Sequence, residues 1–292
     1  MGLFDWLFKK KETAPAAPAD TSALLENVEV ATGVVLPRAL AAQWDEIEQW
    51  KVSSIQIKAT PGDGLTVHQS SFGAYPCLPK YFAYPVDAEN KYMYPLAQIN
   101  CNDLPPLANY PSNGYLQFYI STNDVYGCSF DDLRDQSNFR VLYFSNEVVA
   151  ECKTDFSFLK NAFAGENTPV NKPHHLTFTP TNEFFGMGDA KFEEERLPQL
   201  DAIIDRYPLV AKELEDFIWN NFESNGHKMG GYAFFTQSDP RHDVNEDYIL
   251  LLQIDSDKEI LWGDVGVANF FIHPDDLAKK DFSKVMYSWD CS

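Results

Sequence analysis

Hydrophobic and polar positions alternate in short runs along most of this chain, and helical spacing is confined to a few segments. Leu40, Trp44, Ile47 and Trp50 recur every three to four residues after Pro37, which predicts a helix over 38–51. Residues 52–59 then alternate and stop at Pro61-Gly62-Asp63-Gly64, the pattern of a strand closed by a turn. Strand-like runs follow at 94–99, 115–121, 139–144 and 175–179, and again at 248–254, 267–272 and 284–289. A second helix is predicted over 209–222, where Leu209, Leu214, Phe217, Ile218 and Phe222 share a face. Pro274-Asp275-Asp276-Leu277 opens a short helix with its acidic residues where the dipole favours them. Helices fall early in each half rather than between every pair of strands, so the pattern predicts an α+β fold, not a doubly wound parallel sheet.

The two halves share an ordered set of blocks. Gly73-Ala74-Tyr75, Leu96-Ala97-Gln98-Ile99-Asn100 and Gly114-Tyr115-Leu116-Gln117-Phe118-Tyr119-Ile120 are answered by Gly230-Gly231-Tyr232, Leu251-Leu252-Gln253-Ile254-Asp255 and Gly266-Val267-Ala268-Asn269-Phe270-Phe271-Ile272. The spacing between matched residues shrinks slowly along the chain, as small loop deletions after a duplication would leave it. The expectation is a single compact unit over 23–292, built from two internally related mixed β-sheet halves (about 38–150 and 151–292) with the helices 38–51 and 209–222 in comparable positions. Residues 1–22 stand apart. Leu3, Phe4, Trp6, Leu7 and Phe8 precede three lysines, and an Ala/Pro-rich stretch over 13–22 follows, which predicts a short amphipathic head on a flexible linker.

Charge narrows the function classes. With 43 acidic residues against 23 basic ones, the net charge is −20. Such a surface repels nucleic-acid phosphates and draws cations and basic proteins, so a basic protein partner or a small polar ligand is expected and nucleic acid is not. The head, residues 1–12, allows at most weak peripheral membrane contact, because three lysines and one short apolar face give only reversible association. No apolar run reaches the length of a membrane span. The five cysteines, Cys77, Cys101, Cys128, Cys152 and Cys291, are scattered without a Cys-x-x-Cys, which predicts unpaired thiols in a reducing, cytoplasmic setting and neither a zinc cage nor a dithiol motif.

A resemblance rests on the later blocks. His227-Lys228-Met229-Gly230-Gly231-Tyr232, Phe235-Thr236-Gln237-Ser238-Asp239-Pro240-Arg241, Leu251-Leu252-Gln253-Ile254-Asp255 and Trp262-Gly263-Asp264-Val265-Gly266 resemble the YwqG-like family of bacterial proteins of unknown function. Leu78-Pro79-Lys80, Pro95-Leu96-Ala97-Gln98-Ile99-Asn100 and Leu104-Pro105 carry the match in the first half. Phe72-Gly73-Ala74-Tyr75 departs from it, where a lysine and paired glycines are expected. The resemblance implies an α+β cytosolic protein and no reaction.

Candidate chemistry is sparse. Gln98 and Gln253 lie inside apolar strand patterns, where a buried amide must satisfy its donors and acceptor. They either meet at a seam to hold a polar ligand or stitch neighbouring backbone together. Gln237, Asp239 and Arg241 crowd one loop with His242; Arg and His there suit an anion, whereas Ser238-Asp239-Pro240-Arg241 also reads as a turn with a surface ion pair. Asp255, Asp257 and Asp264, with Trp262 between them, are the densest acidic group, and their oxygens suit Ca²⁺ or Mg²⁺ in a metal-assisted hydrolase; Asp255-Ser256-Asp257 is also ordinary turn chemistry. There is no Walker loop, dinucleotide turn, Gly-x-Ser-x-Gly or His-Glu-x-x-His, so no cofactor is expected. The favoured reading is a non-catalytic binding or regulatory module.

Overall fold

A computed structural model describes residues 21–244 and 246–292. The expected head, residues 1–12, and nearly all of its linker lie outside the described residues. Helix α1 (Ser22–Leu25) leads into a hairpin of β1 (Asn27–Ala31) and β2 (Val34–Pro37), then two short helices, α2 (Arg38–Ala41) and α3 (Trp44–Ile47). The long strand β3 (Val52–Pro61) is followed by β4 (Ser71–Phe72), β5 (Tyr94–Asn100), β6 (Tyr115–Ile120) and β7 (Phe139–Phe144). A second long strand, β8 (His174–Glu183), precedes the helices α4 (Ala190–Glu195), α5 (Leu197–Ile204) and α6 (Ala211–Asn221). The chain closes with β9 (Lys228–Gly230), β10 (Ile249–Asp255), β11 (Val267–Ile272), α7 (Pro274–Lys279) and β12 (Met286–Asp290).

Ten strands form a single sheet in the order β12-β11-β10-β9-β3-β8-β4-β5-β6-β7, beside the separate β1–β2 hairpin. The expected mixed sheet halves are corrected on two counts. The strands belong to one continuous sheet, and every pairing in it is antiparallel. Sequential strands such as β5, β6 and β7 are direct neighbours, so no crossover helix is needed to return the chain for parallel pairing.

The strand order reads the same from either edge if β3 is exchanged with β8, β4 with β9, β5 with β10, β6 with β11 and β7 with β12. The hairpins match in register as well. Gln98 faces Gln117 across β5–β6 and Gln253 faces Asn269 across β10–β11. Each hairpin has one irregularity, which sets Leu96 out of register in the first and Leu251 in the second. The helices do not follow this correspondence. The helical segment 38–51 is broken at Gln43 and comes before its long strand, whereas α6 comes after β8.

The sheet is rolled until its far ends pack on each other. Phe118 of β6 lies 4.9 Å from Phe270 of β11, Phe139 of β7 lies 5.2 Å from Tyr287 of β12, and the Tyr287 N–H donates to the Leu133 carbonyl at 2.9 Å. The nearly closed barrel holds the main core, including Ile55, Phe72, Leu116, Ile254 and Trp262, all fully buried. A second core joins the helices to the sheet's other face through Trp50, Phe185, Phe192 and Tyr232. A third lies under the loops of the first half, around Cys77, Tyr119 and Phe156. Cys77 is joined to Cys152, which corrects the expectation of unpaired thiols there: Pro79 bridges to Cys152 in antiparallel fashion and sets the two side chains together from 75 residues apart, a pairing that spacing does not reveal. Cys101, Cys128 and Cys291 are free.

Candidate functional site

Gln98 and Gln253 are held in the same way at corresponding points. The Gln98 Oε1 accepts from the Cys77 N–H at 2.6 Å, and its Nε2 donates to the carbonyls of Val67 and Gln69 at 2.8 and 3.0 Å. The Gln253 Oε1 accepts from the Phe234 N–H at 2.8 Å, and its Nε2 donates to Ser224 and Gly226 at 2.9 and 2.8 Å. The cross-strand amides complete each clamp: Gln117 donates to the Cys77 carbonyl at 2.7 Å and Asn269 to the Phe234 carbonyl at 2.8 Å. Strands β9, β3, β8 and β4 separate the two glutamines in the sheet, so the amides serve two separate loops rather than a common seam. Their donors and acceptors are taken up by backbone, which a buried amide requires.

The loop carrying Gln237, Asp239 and Arg241 is not a surface turn. Asp239 and Arg241 are buried, and Asp189, brought in from the start of α4, joins them. The Arg241 Nη2 donates to Asp189 and Asp239, both at 2.6 Å, while Nε donates to Asp239 at 3.0 Å and Nη1 to the Tyr248 carbonyl at 3.1 Å. Remaining carboxylate lone pairs accept backbone N–H groups of Ala190, Lys191, Phe192, Ala233 and Arg241. Burial opposes the charged guanidinium, but the two carboxylates outweigh it and raise its pKa. With Nε and Nη2 committed to carboxylates and Nη1 bonded to a backbone carbonyl, this arginine ties α4 to the loop before β10. The His242 ring instead faces Glu193, 3.2 Å away. The Gln237 side chain donates to the Cys291 carbonyl at 2.6 Å and fastens the loop to the C-terminal segment.

The acidic trio is dispersed. The Asp255 carboxylate accepts from Gly226 and Ser256 N–H groups, and Asp257 accepts from Glu259 and Ile260. His227 lies between them. Its Nδ1 accepts from the Asp255 N–H at 3.0 Å and its Nε2 donates to Asp257 at 3.3 Å, so the ring is the neutral Nε2–H tautomer. Desolvation lowers the His227 pKa despite its acidic neighbours, and desolvation likewise raises that of Asp255. For Asp257, partial burial is overcome by the N–H groups of Glu259 and Ile260 and by His227, and the pKa falls. Among the described residues the only cluster of three or more potential metal ligands is His68, Cys77 and Cys152; Asp255, Asp257 and Asp264 are not gathered into one. Trp262 is core: fully buried, it stands edge-on to Tyr126 at 5.5 Å.

A cavity of about 420 Å³ opens where the two halves meet. The segment 107–110 supplies one wall, the start of β3 with Lys51 and Ser53 another, and Asp189, Gly230, Gly231, Tyr232, Arg241 and Leu250 are among the residues that complete it. The two glycines are required there. Gly230 and Gly231 have φ of +67° and +77°, and a Cβ would come 3.0 Å from the Leu107 side chain and 2.4 Å from Glu183 Oε1 respectively. The Tyr110 hydroxyl donates to the Leu250 carbonyl, and the Tyr232 hydroxyl donates to the Trp50 carbonyl at 2.8 Å, so both rings are fixed. Close to this wall, Lys228 is fully buried and donates to Glu183 at 2.9 Å; desolvation lowers its pKa against the pull of that carboxylate. Val52, Leu107, Ile249, Leu250 and Pro274 make much of the lining apolar. Three cations reach it. Arg241 and Lys191 are paired with carboxylates, whereas exposed Lys51 has no ion pair among the described residues.

The sequence reading missed Asp189, Glu183, Lys51 and Tyr110. Asp189 opens a helix that the pattern did not predict, although Asp one residue before a helical run is an N-cap signal. Gly230-Gly231-Tyr232 was recognised as a shared block without its role as a cavity wall.

These features define an α+β protein with a rolled antiparallel sheet and a cavity at the junction of its halves. The chain belongs to a known family: residues 70–291 match the model described as Domain of unknown function (DUF1963). No curated protein matches the chain. Among the described residues, no helix is long and apolar enough to cross a membrane.

Proposed function

We propose that the protein is a non-catalytic binding module, YwqG-like and cytosolic, that takes a small molecule with an apolar body and one negative charge in the cavity between its halves. The carrying observation is the pairing of an apolar, glycine-backed cavity with Lys51, a cation at its wall that has no ion pair among the described residues. Ligand sites are commonly apolar clefts with a few polar groups that fix orientation. In this reading the halves are copies of one ancestral unit, supported by the interchangeable strand order and the paired amide clamps, and the site lies where the copies join. The acidic exterior favours a basic protein as the downstream partner.

The test uses 8-anilinonaphthalene-1-sulfonate, an apolar anion, displaced by octanoate. Saturable one-site binding is expected, weakened severalfold by Lys51→Glu and abolished by Ser53→Phe, which projects a ring from an exposed position on the cavity wall. Equal binding by both variants would show that the dye sits elsewhere and would remove the proposal.

A further inference from the structure

The cluster of His68, Cys77 and Cys152 lies beside the β5–β6 hairpin, and none of the three lines the cavity. We propose that it is a redox-gated site for a thiophilic divalent cation of the zinc class, closed while Cys77 and Cys152 are joined and opened when that bond is reduced.

The geometry supports this in three ways. First, the donor atoms are already gathered: a ring nitrogen of His68, Cys77 Sγ and Cys152 Sγ all lie within 4.8 Å of one another, with His68 Nδ1 3.5 Å from Cys77 Sγ. Tetrahedral zinc, with bonds of about 2.3 Å to sulfur and about 2.0 Å to nitrogen, sets its S and N ligands about 3.5 Å apart and its two sulfurs about 3.8 Å apart. Second, the sulfur–sulfur bond is not what holds the donors together. The Gln98 and Gln117 amides bind the backbone on both sides of Cys77, and Gln98 also binds the carbonyls flanking His68. Cys152 is brought in by backbone pairing, with the Lys153 N–H donating to Leu78 at 2.8 Å and the Lys80 N–H to Glu151 at 2.9 Å. Cutting the bond leaves these contacts intact, so the ligands stay in place. Third, access and orientation suit a bound ion. His68 is exposed and Cys152 half-buried, which leaves a position for water; the Tyr115 hydroxyl, 3.1 Å from Nδ1, is a hydrogen-bond partner that the cation displaces from that nitrogen.

The second half provides an internal contrast. The residue clamped by Gln253 and Asn269, corresponding to Cys77, is Phe234, so the same scaffold there carries no thiol.

The chemistry balances with a dithiol as reductant. Its two electrons and two protons convert the Cys77–Cys152 bond to two thiols while the reductant closes to its own disulfide. The cation then displaces both thiol protons to solvent and is held by two thiolates and the neutral imidazole. In a reducing compartment such a pair is a redox sensor rather than a permanent staple.

The experiment takes the full chain, oxidised or reduced with a phosphine, and titrates it with Co²⁺ and then Zn²⁺. Reduced protein is expected to take up one equivalent of Co²⁺ with a thiolate-to-cobalt charge-transfer band that Zn²⁺ bleaches, and oxidised protein to show no such band. Cys152→Ser should abolish the band and His68→Ala should weaken binding at least tenfold, while Cys101→Ser and Cys128→Ser leave it unchanged. Circular dichroism of the half-buried Cys152→Ser variant separates loss of ligand from loss of fold. A band in oxidised protein, a band that survives Cys152→Ser, or none after reduction of folded protein would each overturn the proposal.

Discussion

The β5–β6 and β10–β11 hairpins share a register, an out-of-register leucine and an amide clamp, yet they are surrounded by different chemistry. Around the first lie soft ligands, His68, Cys77 and Cys152. Around the second lie buried ion pairs, with Arg241 between Asp189 and Asp239 and Lys228 on Glu183, and a neutral His227 beside Asp257. The backbone scaffold is set by needs that recur in both places: a bulged strand, a loop over the sheet and N–H and C=O groups that must be paired out of water. The residues beside the clamped one are free of those needs, and there the halves differ.

The buried charges should dominate the stability of the second half. Arg241→Met strands Asp189 and Asp239 without their cation, and a cost of about 3–5 kcal/mol is expected in urea unfolding. A loss below about 1 kcal/mol would mean that the backbone N–H groups alone satisfy the carboxylates.

The amide clamps test the likeness directly. Gln98→Leu and Gln253→Leu each leave two carbonyls and one N–H without their side-chain partner, at about 1–3 kcal/mol per buried group before relaxation. Both variants should lose at least about 2 kcal/mol, by amounts equal to within about 1 kcal/mol. Unequal losses would show that one loop carries stability the other does not.

A titration distinguishes the halves more gently. The folded pKa of His227 is depressed below its ordinary 6.5, so the unfolded chain binds a proton first as pH falls. Stability from this residue is therefore fully present above about pH 6.5 and is lost as pH drops from there towards the lower folded value. Urea midpoints between about pH 8 and pH 5 should fall on the acid side for the native chain, and His227→Asn should flatten that limb. The raised pKa of Asp255 works in the opposite sense, at pH values above the ordinary carboxylate range's 3.8. The smallest effect should come from Lys51→Glu, an exposed change expected to alter stability by no more than about 0.5 kcal/mol while it weakens anion binding.

Most strands were legible because alternation marks a sheet face: 139–144 and 267–272 match β7 and β11 residue for residue. The very short β4 and β9 were not, since two or three residues carry no period. Their existence depends on β3 and β8, which are distant in sequence. The site was less legible still. Asp239 and Arg241 are two residues apart in a turn motif, but what makes them a buried network is Asp189, about fifty positions earlier. Cys77 and Cys152 likewise meet only through loop pairing. Local spacing carries elements, and long-range pairing carries chemistry.

The middle of the sheet also constrains how the chain can assemble. β3 is flanked by β8 and β9, both made much later, and has no partner from its own half. As the polypeptide emerges from the ribosome, a ten-residue strand with both edges open must wait for residues 174–183 before it forms a ladder. Such non-local closure raises contact order and slows folding. A chain truncated before β8 would present an unpaired edge and should be a target for holding chaperones, whereas one that reaches Glu183 can close the centre of the sheet.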